Sequence, residues 1–129
     1  MAKAKILVVD DDPKLSKLVK LYLERTSLYE VTEENRSSQA VETARRIRPA
    51  AILLDFDMPG KDGGEVALEL GRDALLQDRP LLFLTSLAAP GASNRRVLPG
   101  QHPSLGKPVD PEVLVAAVAR LIHSEQPSV

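Results

Sequence analysis

Residues 50–63, AAILLDFDMPGKDG, decide how this chain is read. The run AAILL is short, aliphatic and unbroken by polar residues, the pattern of a strand buried on both faces of a parallel sheet. It ends on Asp55, and the next residues, Phe56, Asp57, Met58, Pro59 and Gly60, turn the strand into a loop. Ligands of open α/β sheets bind at that carboxyl edge. Taken alone, Asp55 is more often a loop cap that satisfies nearby backbone N–H groups than a reactive group. The remainder of the chain changes that balance.

Upstream, residues 5–9 (KILVV) form a second candidate for a buried strand, and it too ends on acids, Asp10, Asp11 and Asp12. Pro13 suits the first turn of a helix whose apolar positions Leu15, Leu18, Val19, Tyr22 and Leu23 recur at helical spacing through about residue 24. Asp12 directly before Pro13 is explained as the N-cap, which leaves Asp10 and Asp11 over. Residues 29–33 read as a short strand. Ser37 or Ser38 is expected to cap a helix carrying Ala40, Val41, Ala44 and Ile47, ended by Pro49.

Downstream of Asp55, residues 63–77 are expected to be helical, with Val66, Leu68, Leu70 and Leu75 as apolar content and Gly71 as a weak point. Residues 81–84 form a further buried strand ending on Thr85 and Ser86. Leu105 and Gly106 precede Lys107-Pro108, and a last helix starts near Asp110-Pro111 and carries Val113, Leu114, Ala117, Val118, Leu121 and Ile122. Continuously apolar strands alternating with helices predict a parallel sheet covered on both faces. Between residues 88 and 104 the composition is rich in Pro and Gly. Pro90, Gly91, Ser93 and Asn94 are weak helix formers and Pro99 stops propagation, so a short, poorly formed or absent helix is expected there.

Composition bounds the class. With 129 residues, 43% hydrophobic and 27% charged, the chain suits one domain over residues 1–129, with a core at about 4–124 and a polar tail at 125–129. Seventeen basic residues against eighteen acidic give a net charge of -1, so there is no electrostatic case for nucleic acid or a membrane surface. The absence of cysteine excludes disulfides, thiolate nucleophiles and Cys-ligated zinc. The start MAKAK runs straight into a strand with no room for a signal peptide, and no apolar run reaches membrane-span length, so a cytoplasmic location is expected.

The chemistry-bearing residues then line up. Asp10, Asp11, Asp55, Thr85 and Lys107 all fall at or just past the carboxyl ends of strands. Carboxylates about 4 Å apart repel by roughly 4 kcal/mol at an effective dielectric near 20, so the acids demand a cation. Mg2+ (or Mn2+) accepts carboxylates and water and leaves room for phosphoryl oxygens, whereas the absence of Cys and of clustered His speaks against a softer metal. Lys107 offers a point charge for a phosphoryl group and Thr85 a hydroxyl donor. The reaction that suits this set is in-line attack on a phosphoryl group by the Asp55 carboxylate. Near Lys107 the only sequence-local carboxylate is Asp110, so its competing role is a surface charge worth little to stability.

VVDDD, LLDFDMPGKDG, LTS and KP, in this order and with 22 positions from Thr85 to Lys107, resemble the receiver domain of two-component response regulators over essentially the whole chain. The resemblance implies a flavodoxin-like (βα)5 sandwich with a doubly wound parallel sheet of order 2-1-3-4-5, here with the fourth helix short or missing. It implies that Asp55 is the phosphoacceptor, Asp11 a direct metal ligand, Asp10 an assistant through water, and Asp57 a ligand through its backbone carbonyl. Thr85 and Lys107 would bind phosphoryl oxygens. The implied donor is a sensor histidine kinase or a histidine phosphotransfer protein. The implied output is phosphorelay or phosphorylation-dependent binding of a downstream protein by a stand-alone receiver, which is not a turnover enzyme. One position departs from the family: where members commonly carry Tyr or Phe three residues before the lysine, this chain has Ser104. Two alternatives stand beside this reading. LLDFD also resembles the nucleophile motif of haloacid dehalogenase-type phosphatases, with Asp57 as general acid, although there the acidic pair comes last. The other is a pseudo-receiver that binds partners without phosphorylation.

Overall fold

The computed structural model describes residues 3–86 and 102–124. Five parallel strands, β1 (Ala4–Val9), β2 (Tyr29–Glu34), β3 (Ala51–Asp55), β4 (Leu81–Thr85) and β5 (Ser104–Gly106), form one sheet of order β2-β1-β3-β4-β5. Helices α1 (Pro13–Glu24), α2 (Ala40–Ile47), α3 (Gly63–Gly71) and α4 (Pro111–Ser124) are the α-helices among the described residues. The expected doubly wound α/β architecture is therefore present, strand order included. The expectation of a weak helix within residues 88–104 falls largely on positions outside the described residues.

The centre of the sheet is buried from both sides because β1, β3 and β4 are apolar at consecutive positions, not alternate ones. Ile6 and Val8 of β1 pack with Val19 and Leu23 of α1 and with Leu114, Val118 and Leu121 of α4. Leu7 and Val9 point the other way, joining Ala40 and Ala44 of α2, Val66 and Leu70 of α3, and Phe83. In β3 the same split sends Leu53 to the first layer and Ile52 and Leu54 to the second. Ile6 through Val9 and Leu53 are fully enclosed. Burying one such side chain contributes about 1.5–3 kcal/mol, and the two layers together supply most of what holds the strand ends in place.

Helix starts follow local chemistry. The Asp12 carboxylate accepts the Lys14 N–H at 3.0 Å with Pro13 in the first turn, as the sequence predicts. At α3, Asp62 and Glu65 form a reciprocal capping box. At α4, Asp110 Oδ1 accepts the N–H groups of Glu112 and Val113 at 2.9 and 3.1 Å.

Two local expectations are corrected. Neither Ser37 nor Ser38 caps α2: both sit in a 3-10 turn (Ser37–Gln39) that leads into the helix without a side-chain cap. Helix α3 ends at Gly71 instead of continuing to residue 77. Past it, Asp73 takes over the chain direction by accepting the Leu75 N–H at 2.9 Å, and its own carbonyl accepts from Leu76 and Gln77. An Asp bonding its local backbone competes with helix propagation, and Gly71 weakens the helix just before it. As a result Leu76 is buried, whereas Leu75 and Leu68 are half exposed.

Helix α3 is docked unusually close to the β3 end. A Cβ placed on Gly63 would lie 2.5 Å from the Asp55 carbonyl oxygen and 2.7 Å from Phe56 Cα, both backbone atoms that cannot step aside. Gly60, at φ 78°, makes the turn between them. Gly63→Ala is therefore expected to destabilise by about 1–3 kcal/mol through overpacking. Gly64→Ala, where the nearest group is the Asp62 side chain at 3.3 Å, should be close to neutral. Urea denaturation midpoints for the two variants check this, and equal midpoints would refute the close-approach argument.

Candidate functional site

Strand register brings the polar residues together. Val9 pairs with Leu54, Asp55 with Leu84 and Thr85 with Gly106, so each strand delivers its terminal polar residue to the same level of the sheet edge. Adjacent strands lie about 4.8 Å apart, which sets the scale of the resulting cluster. Carboxylate oxygens of Asp10, Asp11 and Asp55 lie within 4.8 Å of one another. Asp10, Asp55 and Thr85 are buried, and Asp11 is exposed at the mouth.

Lys107, just past β5, reaches back into this edge, and the Lys107–Pro108 peptide is cis. Its Nζ donates to Asp55 Oδ1 at 2.8 Å and stands 3.5 Å from Asp10 Oδ2. The same Asp55 oxygen accepts the Asp57 N–H at 3.1 Å. Asp10 Oδ1 accepts the Asp12 N–H at 2.9 Å, but Asp10 Oδ2 is buried without a hydrogen-bond partner. Its separation from Lys107 counts as an ion pair yet is too long for a good hydrogen bond. The competing role of Lys107, a surface charge with little structural worth, does not fit these contacts. Its partners lie 52 and 97 positions away in sequence, out of reach of any local reading.

These surroundings shift protonation. Burial pushes the Asp55 carboxyl up to about 6, with Lys107 and the Asp57 N–H opposing and the Asp10 charge adding. Asp10 is also raised, chiefly by burial, with the Asp12 N–H and Lys107 pulling the other way. For Lys107 burial acts to lower the pKa, but the hydrogen bond it donates to Asp55 and the charges of Asp10 and Asp55 together outweigh it and hold the ammonium form.

A buried carboxylate oxygen with no hydrogen-bond donor among the described residues, inside a group of three acids, leaves a position that a cation can take. The donors are hard oxygens, which fit Mg2+ or Mn2+. The cluster can therefore hold a metal ion.

The structure adds a contact that the sequence did not announce. Asp57 Oδ2 accepts from Ser86 N at 3.1 Å, from Ser86 Oγ at 3.0 Å and, at a long 3.4 Å, from Thr85 Oγ1. The carboxylate of Asp57 thus ties the loop after β3 to the end of β4. In the sequence Ser86 reads only as a hydroxyl at a strand end, because only the pairing of β3 with β4 brings it opposite Asp57. Ser104 is buried at the start of β5, in register with Phe83, whose ring meets Phe56 and His102 edge to face at 5.4 and 5.9 Å.

Comparison with known proteins agrees with this geometry. The family described as the response regulator receiver domain matches residues 6–119. Response regulator Rre1 of Synechocystis sp. is 31% identical over 123 residues, covering 95% of this chain and 53% of that protein. Transcriptional regulatory protein SrrA of Staphylococcus aureus is 35% identical over 124 residues, covering 94% and 48%. The chain therefore spans about half the length of these curated relatives. Among solved structures, chemotaxis protein CheY4 of Vibrio cholerae superposes with a TM-score of 0.80 at 28% identity, covering 93% of this chain and 99% of that one.

The raised pKa of Asp55 gives a signed expectation. A carboxyl whose folded pKa exceeds its unfolded value stabilises the fold fully below about pH 4, and that contribution is lost as pH rises through about 6. In chelator, Asp55→Asn should therefore be more stable than the unsubstituted chain at pH 7.5, by about 1–3 kcal/mol, with the gap closing toward pH 4. Thermal melts at both pH values test this. A variant equal to or weaker than the parent at pH 7.5 would show that the carboxylate is not under electrostatic stress.

Proposed function

The chain belongs to the response regulator receiver domain family, and on that premise we propose that it accepts a phosphoryl group on Asp55 from a phosphohistidine of a sensor histidine kinase or histidine phosphotransfer protein. The observation that carries the reading is the buried Asp55 carboxylate at the end of β3, hydrogen-bonded to Lys107 at 2.8 Å and grouped with Asp10 and Asp11. Receiver domains are signalling modules, and the proposed role is that of a phosphoacceptor, not a turnover enzyme.

In the proposed step an Asp55 carboxylate oxygen attacks phosphorus in line, the P–N bond to the donor imidazole breaks, and the imidazole leaves with the bonding electron pair. The product is an acyl phosphate on Asp55. The carboxylates of Asp10, Asp11 and Asp55 and the backbone carbonyl of Asp57 would hold a Mg2+ ion, which supplies positive charge against the incoming phosphoryl oxygens. Lys107 already stands at Asp55 Oδ1 and needs only a small displacement to pair with a phosphoryl oxygen. The Thr85 hydroxyl, whose contact to Asp57 is long, can turn to donate to another. Burial of Asp10, Asp55 and Thr85 keeps the local dielectric low, so each of these interactions is stronger than in water. The output proposed is phosphorylation-dependent binding or phosphorelay to a downstream protein.

Incubation with acetyl phosphate and Mg2+ should add one phosphoryl group, seen by intact-mass spectrometry. Asp55→Asn or chelator should abolish the gain, and phosphate uptake that survives either would overturn the assignment. Lys107→Ala should still take up the group but lose phosphate-dependent partner binding. It should also melt lower in chelator, because two buried acids lose their counter-charge.

A further inference from the structure

Beside the acid cluster, three polar side chains form a continuous hydrogen-bond chain that the proposed phosphotransfer does not use. Asn35, just past β2, donates from Nδ2 to the Asp10 backbone carbonyl at 2.8 Å and to Ser16 Oγ at 3.0 Å. Ser16, fully buried in α1, donates from Oγ to Glu33 Oε1 at 2.7 Å, with the Pro13 carbonyl a longer alternative at 3.3 Å. The proton directions are fixed by chemistry. The Asp10 carbonyl can only accept, so the amide nitrogen of Asn35 must face it. The Ser16 hydroxyl has one proton, which goes to the carboxylate, so it receives the second Asn35 proton on a lone pair.

Sheet formation does not require this chain. The β1–β2 ladder runs to Val9 and Glu34, and the Asp10 N–H is already satisfied by the Glu34 carbonyl at 3.1 Å. The Asp10 carbonyl lies beyond the ladder. What the Asn35 contact secures is the peptide that joins Asp10, whose side chain is buried, to Asp11, whose side chain is exposed. With the Asp12 N–H holding Asp10 Oδ1, residue Asp10 is restrained at its N–H, its carbonyl and its carboxylate. Rotation of that peptide would move the two acids relative to each other, which is the coordinate a cation senses.

The geometry points to Asn35 as a positioning residue for the cation site: through Ser16 and Glu33 it locks the Asp10–Asp11 peptide so that both carboxylates face the ion together. This inference rests on the Mg2+ reading given above. Residues holding metal ligands in place from behind typically contribute ten- to a hundredfold in metal affinity, and the lower figure suits a contact made through the main chain.

The test is Mg2+ binding alone, without phosphoryl donor, followed through the Asp11 and Asp12 amide signals of 15N-labelled protein. Asn35→Ala should weaken the Mg2+ dissociation constant about tenfold, and Ser16→Ala should shift it in the same direction. Thr43→Ala is the control. It removes a 2.6 Å hydrogen bond to Glu34 at the same strand end without touching the Asp10 loop, so it should lower the melting temperature yet leave the Mg2+ constant at the parent value. An Asn35→Ala constant equal to the parent's overturns the inference. So does an equal weakening in Thr43→Ala, which would make Asn35 merely structural. A parent chain that shows no Mg2+ response overturns the metal reading and this inference with it.

Discussion

Mutual repulsion of carboxylates at one sheet edge is the constraint from which the rest of this structure follows. Parallel register places Asp10 and Asp55 side by side at a buried level where burial raises the pKa of each. At about 5 Å two such charges repel by roughly 3 kcal/mol at an effective dielectric near 20. Lys107 relieves part of this, while burial, the largest cause of the raised Asp55 pKa, adds to the cost of the charged form. A site left under such stress favours positive charge, which suits the proposed entry of a cation ahead of an anionic phosphoryl group.

Holding that stress requires a rigid frame. The frame comes from the two apolar layers, which alternate residue by residue through β1 and β3 and leave the strand ends no freedom to splay. Gly63 then lets α3 press against the backbone at Asp55, so the Asp55 carboxylate is fixed by main-chain packing as well as by hydrogen bonds. Stability is spent at the edge and recovered in the layers, a division common at functional sites.

Around the acids, the supporting contacts fall into two groups. Behind Asp10, the Asn35–Ser16–Glu33 chain restrains the acidic loop from the β2 side. Across Asp55, the Asp57 carboxylate gathers the Thr85 and Ser86 donors from the β4 side. Both join neighbouring strand ends at the level of the acid cluster. Ser104 offers no ring at the edge strand, and the aromatic surface there is Phe83 with Phe56 and His102 around it.

The architecture was legible in the sequence because its signals are local. Apolar runs ending on Asp10, Asp55 and Thr85, Asp-Pro pairs at the starts of α1 and α4, and the alternation of strands with helices specify parallel pairing and place the acids, hydroxyl and lysine at one edge. What only the tertiary structure decided depends on which strands become neighbours. The pairing of Lys107 with Asp55 and Asp10, the donors that fill the Asp57 carboxylate, and the reach of Asn35 to the Asp10 carbonyl all join residues far apart in the chain. The end of α3 at Gly71 and the uncapped start of α2 were also misjudged, because Asp73 and Ser37 make local backbone arrangements that compete closely with helix. Periodicity reports which face of an element is buried. It carries no record of the partner across the gap, and in this chain the electrostatics of the site are set by those partners.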